Sequence, residues 1–157
     1  MAAWGPLLWL ILHTAAEHLG KERPPINQVD EVQRWILVLK AVEGTMPCEK
    51  CRKHYAAWLK RRPVAVFTPL RGAALRSEAR KWLYDLHEEV NRENGVTPNI
   101  TLEALPSMYG NLEPYRKTID TFIEATKEAV QMGRLKVTDT FVFRNHLHYL
   151  RKLTDSM

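Results

Sequence analysis

Apolar residues recur at three- and four-residue spacing along nearly the whole chain, and no stretch alternates apolar and polar positions with a sustained period of two. That pattern predicts helices throughout, assembled as a bundle that buries their apolar stripes. A first helix is expected from about Trp4 to His18, with Trp9 and His13 four apart on one face, and the Lys21 to Pro25 segment breaks it. A second runs from about Val29 to Gly44. Its apolar face is Val32, Ile36, Leu37, Leu39 and Val42, and Gly44 suits the left-handed position that follows a helix. Pro47 marks the entry to a third helix, about Cys48 to Lys60, which Arg61-Arg62-Pro63 closes. A connector from Val64 to Leu70 leads to a long fourth helix, about Gly72 to Glu93, with Trp82, Leu86 and Val90 on one stripe and Asn94-Gly95 as its stop. A short fifth helix begins around Thr97 to Thr101 and runs toward Tyr109. Two further helices, about Leu112 to Gly133 and Thr138 to Thr154, offer Ile119, Phe122 and Ile123, then Phe141, Leu147 and Leu150, to the core.

With 157 residues the chain can bury a substantial core as one domain without disulfide staples. A hydrophobic share of 45% beside 26% charged residues is that of an ordinary globular protein, which sets disorder aside. The net charge of +5 is scattered among acidic residues rather than gathered in one stretch, so nucleic acid is not an expected partner. Met1 to Ala16 carries no charged side chain, which raises the question of a secretory signal or membrane anchor. A basic n-region is missing, and the apolar run stops at Glu17, short of the roughly 20 residues of a membrane span. The segment therefore reads as a buried helix, with no signal peptide or transmembrane segment, and the expected setting is intracellular and cytoplasmic.

In such a setting a single cysteine pair spaced C-x-x-C is more often catalytic or metal-binding than structural. Cys48 and Cys51 stand where a helix begins, and there the positive end of the helix dipole and the free backbone N–H groups stabilise a thiolate. Other readings remain open at this stage. His54, three residues after Cys51, keeps a zinc-binding module in view, although no third cysteine completes a usual ligand set. A thioredoxin-like enzyme would need flanking strands, and none is predicted. A non-enzymatic helical interaction module would leave the cysteines incidental. Any one of Trp4, Trp9 and Trp82 alone would read as plain core, and His13 and His87 alone as ordinary histidines.

Taken together, three runs carry more. Trp4-Gly5-Pro6-Leu7-Leu8-Trp9-Leu10-Ile11-Leu12-His13 has the form W-G-x-x-x-W-x-x-L-H; Pro47 to Tyr55 has the form P-C-x-x-C-R-x-H followed by an aromatic; and Trp82, Leu86, His87, Val90, Asn91 and Gly95 follow a W-x-x-x-L-H-x-x-V-N-x-x-x-G spacing. In this order they resemble the Erv/ALR family of FAD-linked sulfhydryl oxidases, over about Trp4 to Tyr109. The resemblance implies an all-α four-helix bundle with a short fifth helix in residues 1–110, and leaves 111–157 as additional C-terminal helices packed on the same domain. It implies FAD as cofactor and no metal. The catalytic residues would be Cys48 and Cys51, with the flavin held by Trp4, Gly5, Trp9, His13, Cys51, Tyr84, His87, Val90, Asn91, Asn94 and Tyr109. It further implies that a substrate thiolate attacks Cys48, that Cys51 lies against the flavin, and that O2 takes the electrons as hydrogen peroxide. With no shuttle cysteines, the electron donor would be a partner dithiol protein, thioredoxin-like or itself C-x-x-C. A homodimer is expected, the first two helices being those that usually pair. The compact form is most similar to members from large cytoplasmic DNA viruses, which would place it in infected-cell cytoplasm or in the virion. Several positions depart from the pattern: Glu88 replaces an asparagine, Asn94 a leucine, Met46 an aromatic and Tyr84 a cysteine, while Val96 stands where a lysine usually meets the FAD phosphates.

Overall fold

A computed structural model describes residues 4–97, 100–111 and 115–155; among them the chain is helical, with no strand. The helices are α1 (Trp4–Glu17), α2 (Pro25–Ala41), α3 (Glu49–Arg61), α4 (Gly72–Glu93), α5 (Leu105–Tyr109), α6 (Tyr115–Gln131) and α7 (Val137–Asp155). Single 3-10 turns at Glu43–Thr45, Val64–Phe67 and Leu102–Ala104 fill the connections. Of Thr97 to Thr101, where the fifth helix is expected to begin, Pro98 and Asn99 fall outside the described residues and Thr97, Ile100 and Thr101 are not helical, so α5 begins only at Leu105, after the Leu102–Ala104 turn; the expected start at Leu112 also falls outside the described residues.

α1 is apolar almost all round, and the fold uses it that way: Leu8 and every residue from Ile11 to Glu17 are buried, under α4, α5 and α6. Its one carboxylate, Glu17, is taken by Arg80 of α4 through two hydrogen bonds of 2.7 Å, which satisfies a charge that burial would otherwise penalise. α2 begins four residues earlier than the periodicity suggests, because Pro25 at the first helical position lacks only an N–H that would be unpaired there. The turn between α1 and α2 depends on Gly20. Its φ is +73°, and a Cβ there would lie 1.9 Å from the Gly72 carbonyl oxygen, so the turn after α1 could not approach the start of α4 as it does.

The core centres on Trp82. Trp58, Phe67 and Tyr55 present edges to it at centroid distances of 5.7, 6.0 and 6.4 Å, and its indole N–H donates to the Arg62 carbonyl at 3.0 Å. α4 ends as its sequence indicates, with Gly95 at φ +68° and the Val96 N–H returning to the Asn91 carbonyl.

α6 packs on α1, and α7 packs on α2. α7 runs antiparallel to α2: Asp139 abuts Gly44 beyond the end of α2, Arg34 donates to His146 midway, and the Leu153 and Thr154 carbonyls meet Arg23 before α2 begins. Arg23 is fully enclosed. It pairs with the equally buried Glu31 at 2.7 Å and caps the last carbonyls of α7. Three expectations are corrected here. Phe141 is 41% exposed, and the buried aromatic of α7 is Phe143, whose ring meets Phe122 at 5.8 Å. The stripe that faces the core is Thr140, Phe143, Leu147 and Leu150, and Phe141 lies off it. Leu37 is likewise 37% exposed, since α2 buries Val32, Trp35, Val38 and Leu39 instead. Gly44 does not adopt a left-handed conformation; it sits in the 3-10 turn, and what demands glycine is the Asp139 side chain against it.

Candidate active site

The cysteine pair occupies the start of α3. Cys48 is its N-cap, extended at φ −104°, and its Sγ accepts the Cys51 backbone N–H at 3.2 Å. The sulfur thus sits on the positive end of the helix, where backbone donors favour negative charge. Pro47 is buried and Arg52 donates to the Met46 carbonyl, which fixes the approach to the helix. Both thiols are free and half-buried. Burial, then the hydrogen bond to Cys48, then the charge of Cys48 push the Cys51 thiol up to about 11. Cys51 therefore keeps its proton at neutral pH.

Cys51 opens into a cavity of about 410 Å³ between α1, α3 and α4. Trp4, Gly5 and Trp9 line it from α1, and Val90, Asn91 and Asn94 from α4 and its end. A second cavity of about 330 Å³ adjoins it, sharing His87 and Asn91 and bounded by His13, Tyr84 and Tyr109. Between the two lies a layered stack of flat rings. Trp9 and His87 are parallel at 4.0 Å, and His13 and Tyr109 at 4.7 Å. The His13 Nε2 and His87 Nδ1 atoms approach to 3.4 Å, close enough for one N–H to donate to the other ring. Burial, with the neighbouring His87, lowers His13 to about 3, and burial lowers His87 as well, so both imidazoles are neutral. Tyr84 donates its hydroxyl to the Ile100 carbonyl at 3.3 Å and so ties α4 to the segment before α5.

The profile of the Erv1 / Alr family matches residues 6–108. The chain belongs to the Erv1/Alr family. It is also similar, at 29% identity over 116 residues, to the "Probable FAD-linked sulfhydryl oxidase R368" of Acanthamoeba polyphaga mimivirus, covering 73% of this chain and 75% of that protein. No solved structure matches the chain. The Erv1/Alr match takes in α2 through α4 and most of α1 and α5, and α6 and α7 lie beyond it.

Every residue that the sequence pointed to for the cofactor lines one of the two cavities, and Cys51 joins them to the dithiol. Cys48, at the N-cap of the same helix, is not part of this lining. Among the positions departing from the Erv1/Alr pattern, Met46 lines the first cavity and Glu88 and Val96 the second. Val96 is 51% exposed, and no charge replaces the usual lysine at its position. Lys50 and His54 also line the first cavity; the sequence reading weighed His54 only as a zinc ligand and did not single out Lys50. His54 Nε2 contacts Glu89 at 2.7 Å and Glu93 at 3.4 Å, and Arg61 grips Glu89 with two hydrogen bonds of 2.7 and 2.8 Å. Arg61 first, with His54 adding to it, holds the Glu89 carboxyl below its usual range. The signal was present as the spacing from Cys51 to His54, one turn along the same helix face. Its carboxylate partners on α4 could not be read from spacing.

Proposed function

We propose that the protein is an FAD-linked sulfhydryl oxidase that makes disulfides in partner dithiol proteins. The observation that carries this reading is a free dithiol at a helix N-terminus whose Cys51 opens into an aromatic-walled cavity. FAD fits the residues present. The two adjoining cavities are each within the range of about 300 to 1,000 Å³ common for ligand pockets. Parallel ring faces and neutral imidazoles suit flat heteroaromatic rings, and Asn91 offers hydrogen bonds to both chambers. When bound there, FAD supplies a two-electron acceptor for the dithiol and delivers the pair to O2 as hydrogen peroxide.

The chain's own part is thiol exchange. A partner thiolate attacks Cys48 of the oxidised pair, the Cys48–Cys51 bond breaks, and a mixed disulfide forms with Cys51 as the leaving sulfur. The partner's second thiolate then attacks its own mixed-disulfide sulfur. The partner leaves with a disulfide, and two electrons stay on Cys48 and Cys51. The released Cys51 thiolate takes up a proton from solvent, because burial and Cys48 disfavour its charge. Among the described residues no helix is long and apolar enough to cross a membrane. In a homodimer the contact falls on surfaces other than those that α6 and α7 already cover on α1 and α2, and sedimentation velocity reads that state directly.

The test is a visible spectrum of the purified protein, with release of chromophore on denaturation. The expected result is a flavin band that bleaches with added dithiol and recovers in air, but not in Cys51→Ser. A colourless protein that takes up no FAD would overturn the proposal.

A further inference from the structure

We propose that Lys50 holds the phosphate groups of the flavin nucleotide, an inference that rests on the oxidase function proposed above. FAD carries a pyrophosphate, and an anion drawn from water into a protein cleft needs charged or N–H partners to replace its hydration. Among the described residues lining the two cavities, Lys50 is the only lysine or arginine. No residue outside the described ones is a lysine or arginine either. The second cavity presents the carboxylate of Glu88 and the uncharged Val96, which disfavour a phosphate there. In the first cavity Glu93 is engaged by His54 at 3.4 Å. The lining thus offers a phosphate one ammonium group, and Lys50 supplies it.

Lys50 is also unspent. Its cationic neighbours on α3 are already occupied: Lys53 pairs with Glu49 at 3.3 Å, Arg52 donates to the Met46 carbonyl, and Arg61 grips Glu89. Among the described residues no carboxylate stands within ion-pair distance of Lys50. Nor does its position serve the helix. In the first turn of α3 a cation opposes the positive end of the helix dipole, where an acidic residue such as Glu49 is favoured. A residue that breaks a local rule without a structural return points to a functional use, and a bound phosphate would remove the repulsion. The Lys50 side chain is exposed at the cavity, and its flexible four-carbon stem lets a compact positive charge follow an anion there.

The test follows release of FAD from the loaded, full-length protein on dilution, read as the return of flavin fluorescence. Cys48 and Cys51 are kept oxidised to their disulfide, so that no thiolate charge contributes. Lys50→Gln should raise the Kd for FAD about tenfold, the worth of one exposed charge-assisted hydrogen bond, and Lys50→Arg should restore most of the affinity. Because the oxidised flavin ring is neutral, the difference between the unmodified protein and Lys50→Gln should shrink as salt is raised toward about 1 M. Lys53→Gln removes a charge from the same helix that does not line the cavity, and should leave the Kd in place. An unchanged Kd in Lys50→Gln overturns the proposal, as does a loss that salt does not reduce or that Lys50→Arg does not repair. An equal loss in Lys53→Gln also overturns it, since the effect would then belong to the general charge of α3. An unmodified protein that takes up no FAD removes the oxidase reading itself, and this contact with it.

Discussion

The asymmetry between the two sulfurs is open to direct titration. A thiol that ionises near 11 carries, at pH 8, about a hundredth of the thiolate of one that ionises at the ordinary 9.0. Since only the thiolate alkylates, the pH midpoint of Cys51 modification separates acidity from steric access, which changes the plateau but leaves the midpoint in place. The assay is iodoacetamide labelling of the reduced, flavin-free protein from pH 7 to 12, with each cysteine read separately by peptide mass spectrometry. Cys51 should approach its plateau about two pH units above a model thiol. Of the three causes that raise it, burial is the largest and the other two come from Cys48; a backbone hydrogen bond and the Lys50 charge act the other way. In Cys48→Ala the hydrogen bond and the charge disappear, so the Cys51 midpoint should fall, yet stay above that of a free thiol because burial remains. A midpoint near 9 in the unmodified protein would refute the reasoning. So would a midpoint that Cys48→Ala leaves in place, because the Cys48 contributions would then be absent.

Two further outcomes follow from buried charge. Arg23→Met strips the partner from a buried carboxylate and uncaps the end of α7, which should cost about 3 to 5 kcal/mol, or roughly 6 to 20 °C in Tm. Arg23→Met/Glu31→Met should recover most of that loss in a thermal melt, and a single-variant loss under about 1 kcal/mol would contradict the burial argument. His13 ionises well below its unfolded value, so its contribution to stability is complete above pH 6.5 and is lost as the pH falls from there toward about 3. Between pH 7 and 5 that amounts to about 2 kcal/mol, and urea midpoints should show His13→Asn losing about that much less over the interval.

Much of the helical order was legible in the chain, because helices with one apolar face announce themselves through a 3.6-residue period. The α4 boundaries, the breaks at proline and glycine, and the dithiol at a helix start all follow from local chemistry that needs no distant partner. The candidate site was legible for a related reason. Trp9 and His13 recur on α1, and His87, Val90 and Asn91 on α4, at spacings that bring each set to one face. Tertiary structure decided the rest. Phe141 and Phe143 are both compatible with an amphipathic helix, and only the position of α2 and α6 determines which one is buried. Gly44 looks like a helix stop, but it is glycine because a helix nearly a hundred residues later leaves no room for a side chain. Arg23 and Glu31 look like surface charges until α7 closes over them, and His54 acquires Glu89 and Glu93 only when α3 and α4 meet. Local periodicity states which side of a helix is apolar; it does not state which element will cover that side, or which charge will be trapped beneath it.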